Sequence, residues 1–265
     1  LILSLSFSVQ ALADDDEKEA PKKLTSKLLS GIKLRSIGPA LMSGRIADIA
    51  IDPEKPHTWY VAAGSGNVWK TTNAGTTWKP IFENYGSYSI GCLTVDPSNT
   101  DIIWVGTGEN VGGRHVGFGD GIYKSTDGGG SFKNVGLPKS EHLSKIIVHP
   151  ENSDVVYVAS QGPLWSGGGE RGLYKTIDGG KSWKLILSEG EYTGVTDVVM
   201  HPSQPEVLYA ATHQRHRTVW GIVNGGPETG IFKSIDGGKS WNALTKGLPG
   251  EDKGKISLQI SPQRP

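Results

Sequence analysis

Tyr174-Lys175-Thr176-Ile177-Asp178-Gly179-Gly180-Lys181-Ser182-Trp183 decides the fold, because variants of it occur at three further places in the chain. They are Trp69-Lys70-Thr71-Thr72-Asn73-Ala74-Gly75-Thr76-Thr77-Trp78, Tyr123-Lys124-Ser125-Thr126-Asp127-Gly128-Gly129-Gly130-Ser131-Phe132 and Phe232-Lys233-Ser234-Ile235-Asp236-Gly237-Gly238-Lys239-Ser240-Trp241. From Asn73 to Asp127 is a step of 54 residues, followed by 51 to Asp178 and 58 to Asp236. Self-similarity at a period of roughly 50 residues marks a repeat array. Each ten-residue unit is called a box below. A second landmark, a residue followed by proline, precedes every box: Asp52-Pro53, Asp96-Pro97, His149-Pro150 and His201-Pro202, with a fifth at Ser261-Pro262. An apolar run ends at each landmark, as in Ile146-Ile147-Val148, and another follows a few turn residues later, as in Ile103-Trp104-Val105. Each repeat therefore reads as four short strands: A ends at the proline turn, B follows it, C ends in the box, and D begins at the box aromatic. Four antiparallel strands per unit, without helical periodicity, predict an all-β chain of β-propeller blades. Four blades are complete, and Lys255 to Ile260 read as a lone strand A of a fifth.

The residue types in a box have mechanical reasons. Glycine permits the positive φ of a tight C–D turn. The Asp side chain can accept turn N–H groups, and the aromatic residue can wedge between neighbouring blades. Asn73 keeps the acceptor oxygen and drops the charge. Residues repeated in every blade are structural parts, so Asn73, Asp127, Asp178, Asp236, Trp78, Phe132, Trp183 and Trp241 are assigned to the scaffold. The pattern Ser/Thr-x-Asp-x-Gly-x-Ser/Thr-Trp resembles the Asp box (BNR repeat) of sialidases, sortilin-type receptors and several glycosidases, over residues 43–265. The phrases Ser36-Ile37-Gly38-Pro39, Ser43-Gly44-Arg45-Ile46, Gly106-Thr107-Gly108-Glu109-Asn110 and Gly225-Gly226-Pro227-Glu228 are similar to exported bacterial proteins described as sortilin-like or glycosyl hydrolase. Those proteins are several times longer, so the resemblance implies part of a larger propeller, of roughly seven to ten blades, and no particular reaction.

Composition narrows the class. The chain has 265 residues, zero formal net charge, 37 glycines and one cysteine. Balanced charge gives no electrostatic reason to expect nucleic acid or an anionic membrane, and a lone Cys92 excludes an internal disulfide framework. Residues 1–13, a short apolar run ending in Ala11-Leu12-Ala13, read as a signal peptide, which implies a secreted or periplasmic protein. Residues 14–31 are charged and read as a solvated tether, and 32–265 as a propeller incomplete at its C-terminus. Ile32 to Ile37 would be the closing strand, and the remainder of the chain beyond residue 265 a partner.

Function is less legible. In a propeller the B–C and D–A loops gather on one face, opposite the C–D turns, and long polar loops on a rigid scaffold are where binding residues concentrate. The candidate ligand-binding residues are Arg45, Glu109, Asn110, Arg114, His115, Trp165, Arg171, His213, Arg215, His216 and Trp220. The plainer alternative is ordinary solvated loops, or loops packed against a further domain. Counting four back from each landmark gives Asp48, Cys92, Lys145, Asp197 and Ser257 along strand A, a charged ring or merely a hydrated channel lining. A glycosidase would need two carboxylates about 5–9.5 Å apart, for which Asp48, Asp197, Glu109, Asp120 and Glu228 are available. The family resemblance implies, for sialidases, an Arg-Ile-Pro motif near the start, where this chain has Arg45-Ile46-Ala47. For two-propeller xyloglucanases it implies a catalytic Asp in the first B–C turn, where this chain has Gly64. The leading expectation is a binding or scaffold module for a peptide, protein or glycan ligand, with glycoside hydrolysis the alternative. No metal-ligand spacing, phosphate loop or cofactor motif is present, and no membrane span is expected.

Overall fold

The apolar run ahead of each proline turn folds as an inner strand, and each box closes the hairpin between a third and a fourth strand. A computed structural model describes residues 45–263 and 265; the expected signal peptide, tether and closing strand lie outside them. Blade 1 comprises β1 (Ile46–Ile51), β2 (Trp59–Ala63), β3 (Val68–Thr71) and β4 (Lys79–Pro80). Blade 2 comprises β5 (Ile90–Val95), β6 (Ile103–Thr107), β7 (Ile122–Ser125) and β8 (Lys133–Gly136). Blade 3 comprises β9 (Leu143–His149), β10 (Asn152–Ser160), β11 (Gly172–Thr176) and β12 (Lys184–Leu187). Blade 4 runs from β13 (Thr193–His201) and β14 (Gln204–Arg217) past a short β15 (Ile222–Asn224) to β16 (Ile231–Ser234) and β17 (Asn242–Leu244). Every blade is a four-stranded antiparallel sheet in sequence order, with β15 pairing only with β14. Equivalent residues share one register: Ile46 opposes Ala63, Ile90 opposes Thr107, Leu143 opposes Ser160 and Val195 opposes Thr212. The described residues are thus four blades of a β-propeller.

Two segments differ from the reading above. Residues 213–217, expected in a loop, continue β14, because β13 pairs with His213 and Gln214 and β15 supplies Arg215, His216 and Arg217 with a partner beyond the blade. Lys255 to Ile260 form no strand ladder. They nevertheless alternate exposed with half-buried residues, and the Leu258 N–H donates to Asp197 Oδ2 at 2.9 Å. The same pin joins blades 1 and 2, where the Leu93 N–H donates to Asp48 Oδ2 at 3.2 Å.

The boxes act through a repeated set of hydrogen bonds. Asp178 Oδ1 accepts the Ser182 N–H at 2.9 Å and the Thr176 hydroxyl at 2.7 Å, while Oδ2 accepts the Ser182 hydroxyl at 2.6 Å. Asp127 and Asp236 repeat this pattern. In the first box the Asn73 oxygen takes the same N–H, and its amide instead donates to Thr77 Oγ1 at 2.9 Å. Reversing one bond is enough to accommodate the uncharged residue. The residue after each of these side chains is left-handed: Gly128 (φ 66°), Gly179 (φ 70°), Gly237 (φ 69°) and, without a glycine, Ala74 (φ 53°). Its N–H donates to a carbonyl in the A–B turn or at the start of strand B of the same blade (His57, Asp101, Asp154 and Glu206), so boxes and A–B turns share one face.

Hydrogen bonds from Ser131 and Ser125 hold the Asp127 pKa down to about 2, and the serine bonds depress Asp178 and Asp236 further. A carboxyl with a depressed folded pKa stabilises the fold above its unfolded value of about 4 and loses that contribution as the pH falls. Thermal midpoints should therefore drop as the pH is lowered from about 4 through 2. These groups are solvent-exposed, so the effect is modest. Asp127→Asn, which copies the Asn73 arrangement, should fold at neutral pH and show a shallower acid dependence. Melts followed by circular dichroism across that range check this; an unchanged slope would remove the boxes as its source.

The hydrophobic cores lie between blades. One joins Tyr60, Val68 and Phe82 of blade 1 to Ile90, Leu93, Ile103, Val105 and Phe132 of blade 2. A second joins Trp104 and Ile122 to Leu143, Ile146 and Val156, and a third joins Tyr157 and Leu173 to Val195, Val198 and Leu208. Of the box aromatics, Trp183 meets Trp104 edge-on at 6.2 Å and donates to the Val135 carbonyl at 2.8 Å. Trp78 has no preceding blade among the described residues and is 40% exposed.

A further inter-blade device went unread in the sequence. The lysine on each strand C lies over the aromatic ring of strand B in its own blade: Lys70 over Tyr60, Lys124 over Trp104, Lys175 over Tyr157 and Lys233 over Tyr209, at 4.7 to 5.3 Å. Three of them also donate to the next blade's box, at the carbonyls of Gly128 (2.7 Å), Gly179 (3.1 Å) and Gly237 (2.8 Å). The hydroxyls of Tyr60 and Tyr157 join at the same carbonyls. The lysine recurs in every box quoted above, so the signal was present, but spacing alone does not say that it reaches into the next repeat.

Candidate functional site

The B–C loops and D–A connections leave the strands at the ends opposite the boxes. Length variation among these loops creates the site. The first is a tight turn at Gly64-Ser65-Gly66, while those of blades 2, 3 and 4 fold across one another. The extended β14–β15 hairpin is the strap: Arg217 donates twice to the Gly112 carbonyl of blade 2 and its N–H donates to Leu164 of blade 3. From the other side, Arg114 donates to the Val219 carbonyl at 2.9 Å.

The candidate ligand-binding residues separate into two groups. Arg171, His213 and Arg215 turn inward and are buried. Arg171 donates to the carbonyls of Gln161, Pro163, Ser166 and Gly168, tying down the whole blade 3 loop. Arg215 reaches the carbonyls of Val111 and Gly162. Burial lowers the Arg215 pKa, the neighbouring Arg171 lowers it further, and it reaches about 9, so the guanidinium stays charged at neutral pH. Burial also pushes His142 down to about 3 and His213 to about 4, leaving both imidazoles neutral. Asn110 is half-buried; its side chain donates to the Gly91 carbonyl, and its own carbonyl accepts Gln161 and Lys255. His216 packs edge-on against Tyr192 at 4.6 Å.

The second group faces solvent. Trp220, at the hairpin tip, is 93% exposed, and Trp165 of blade 3 is also exposed. Sequence reasoning missed two aromatics on the same face: Phe118 in the blade 2 loop and Tyr88 in the connection before β5, both exposed. Neither stands in a recurring position of the repeat, so nothing in the pattern marks it. Arg45 pairs with the buried Glu109 at 2.5 Å and with His115 at 3.1 Å, joining blades 1 and 2.

The weak catalytic candidates are all engaged. Asp48 accepts the N–H groups of Ile49 and Leu93. Asp197 accepts those of Val198 and Leu258 and the Ser257 hydroxyl. Asp120 accepts the Tyr123 hydroxyl at 2.6 Å, Glu228 accepts the Thr193 hydroxyl, and Glu109 is ion-paired. Asp48, Lys145, Asp197, Lys255 and Ser257 line a polar cleft of about 270 Å³, together with Asn110. A carboxylate does stand beside Gly64: Glu109 Oε1 lies 2.6 Å from where a Cβ on Gly64 would be. Among the described residues no cluster of His, Cys, Asp and Glu could hold a metal ion, and no helix is long and apolar enough to cross a membrane.

Comparison with known proteins finds similarity to xyloglucanases and to a sortilin family model. The chain is 29% identical over 225 residues to a xyloglucanase of Acetivibrio thermocellus, covering 74% of this chain and 25% of the relative. It is 26% identical over 226 residues to a xyloglucanase of Hypocrea jecorina, covering 77% and 26%. The chain thus spans about a quarter of these relatives' length. The profile of the family described as sortilin, neurotensin receptor 3, matches residues 120–250. Among solved structures, the GH74 enzyme of Niastella koreensis aligns with a TM-score of 0.55 at 25% identity, over 74% of this chain and 28% of that one. The GH74 xyloglucanase of Xanthomonas campestris aligns at 0.56 and 22%, over 75% and 29%, and supports the propeller fold.

Proposed function

We propose that the loop face binds an extended polysaccharide of the xyloglucan type and does not cleave it by itself. The observation that carries this is the placement of exposed aromatics. Of the five exposed aromatic side chains among the described residues, Tyr88, Phe118, Trp165 and Trp220 are on the loop face and only Trp78 is elsewhere. A pyranose ring presents a face of C–H groups that packs on an aromatic π-face, and flat rings on anchored loops are ordered at little entropic cost. The hairpin strap and the Arg171 bonds provide that anchoring. The similarity to xyloglucanases supports a β-glucan ligand, and the engaged carboxylates argue against hydrolysis within this segment.

Trp220→Ala should weaken binding of xyloglucan oligosaccharides about tenfold, the equivalent of losing one aromatic contact of about 1.4 kcal/mol. The thermal midpoint should not move, because Trp220 is almost fully exposed. Isothermal titration with the wild type and the variant tests this, and equal affinities would remove the aromatic face from the site. Hydrolysis is the second reading, favoured by the Glu109 carboxylate beside Gly64. Release of reducing ends from xyloglucan, abolished in Glu109→Gln, would reverse the assignment.

A further inference from the structure

We propose that a small monovalent anion, of which chloride is the simplest, binds at the base of the strap, held by the Nε–H of Arg215 and the imidazole N–H of His213. The site is built on β14. Side chains alternate along a strand, so His213, Arg215 and Arg217 share one of its faces. Two of them close on the blade 2 loop, Arg215 at the Val111 carbonyl and Arg217 at that of Gly112. Lys255 reaches the same loop from the segment after blade 4 and donates to the Asn110 carbonyl at 2.9 Å, and Gln161 of blade 3 donates there at 3.2 Å. Four side chains from two blades and the segment after them thus converge on the carbonyls of residues 110–112.

This seam carries positive charge without a matching acid. Arg215 and His213 are 2% and 3% exposed. Carbonyls solvate a guanidinium but do not cancel its charge, and a buried cation without a counter-ion is costly. Among the described residues the ion pairs are Arg45 with Glu109 and Lys55 with Asp52, so Arg171, Arg215 and Lys255 have none. Glu141 acts on Arg215 from beyond pairing distance, and the like charge of Arg171 outweighs it. Asp197, the acid that acts on Lys255, already accepts two N–H groups and a hydroxyl.

The donors left over define the ligand. Arg215 turns Nη1 and Nη2 to the Val111 and Gly162 carbonyls, while its buried Nε has no partner. Neither ring nitrogen of His213 has one; Asn224 lies near the ring without completing a hydrogen bond. Burial, with the Arg215 and Lys255 charges, keeps this imidazole neutral, so it offers a single N–H. Carboxylates and phosphates suit the paired donors of an open guanidinium fork. Two single donors on neighbouring side chains, backed by two cations, suit a one-atom anion instead. The polar cleft lined by Lys255 and Asn110 gives it a route from solvent.

The test melts the full chain in chloride and in gluconate at one ionic strength. Raising chloride from about 1 to about 100 mM should lift the thermal midpoint by about 3–5 °C, by mass action on the folded state. His213→Phe keeps a ring and removes the N–H, so its midpoint should not respond to chloride. Arg215→Gln should lose the response as well, and His213→Phe carries the test should that variant fail to fold. Crystals soaked in bromide should show an anomalous peak within hydrogen-bond reach of Arg215 Nε. An equal chloride gain in the wild type and His213→Phe is a bulk salt effect and overturns the proposal. So does bromide found only at exposed lysines, or a water at Arg215 Nε that bromide does not displace.

Discussion

Replacing Trp104 with alanine should lower the unfolding free energy by about 3–5 kcal/mol, the range for deleting a large buried aromatic. The indole is fully buried in the core between blades 2 and 3, packed by Trp183 and the box turn at Gly180, with Lys124 above its ring. A cavity of that size at a junction cannot collapse without moving two blades. A contrasting substitution sharpens the expectation. Trp104 Nε1 is buried without a partner, whereas the tyrosines at this position in blades 1 and 3 donate to the next box. Trp104→Tyr loses ring volume and gains a route to the Gly179 carbonyl, so it should retain most of the stability that alanine loses. Urea titration of the three proteins decides it. If tyrosine is as damaging as alanine, the junction depends on indole volume alone.

Arg171→Met should cost about 3 kcal/mol or more and release the blade 3 loop. The guanidinium satisfies four carbonyls, and methionine matches the length of the stem while offering no donor. Arg171→Lys should fare little better, because an ammonium cannot reproduce the fork. The loss should be local first: amides of residues 161–171 should exchange faster in the variant while those of β5 and β6 stay protected. Since Trp165 rides on this loop, polysaccharide affinity should fall with it. Unchanged exchange at 161–171 would mean that the loop is held by its neighbours instead.

The fold was largely legible because its signals are local and repeated. Box, proline turn and apolar runs each specify a turn or strand on their own, and four copies fixed the four-stranded unit. The site was less so. Arg171, His213 and Arg215 are polar residues in stretches that read as long loops, and nothing nearby in sequence distinguishes a side chain that faces water from one that turns inward, as Arg171 does to carbonyls of its own loop and Arg215 to carbonyls of other blades. The Arg215 bonds span up to 104 residues. The β14–β15 hairpin was hidden for a related reason: Arg215-His216-Arg217 has no apolar alternation, and it is strand only because Ile222–Asn224 folds back on it. Phe118 and Tyr88 stand outside the repeat, so a search for recurring residues passes over them.

Cores placed between blades rather than within them make this molecule behave as a chain of nearest-neighbour couplings. A blade has little reason to fold alone; its strands are stabilised by the sheet beside it. The cooperative unit is therefore the junction. Blades 2 and 3 are each gripped from both sides, while blades 1 and 4 are each gripped from one among the described residues. Exchange protection should grade outward, with the terminal sheets fraying before the middle pair yields. The same lesion would then have different reach by location: at an end it would melt one sheet, and at the Trp104 junction it would divide the array into two halves that unfold independently.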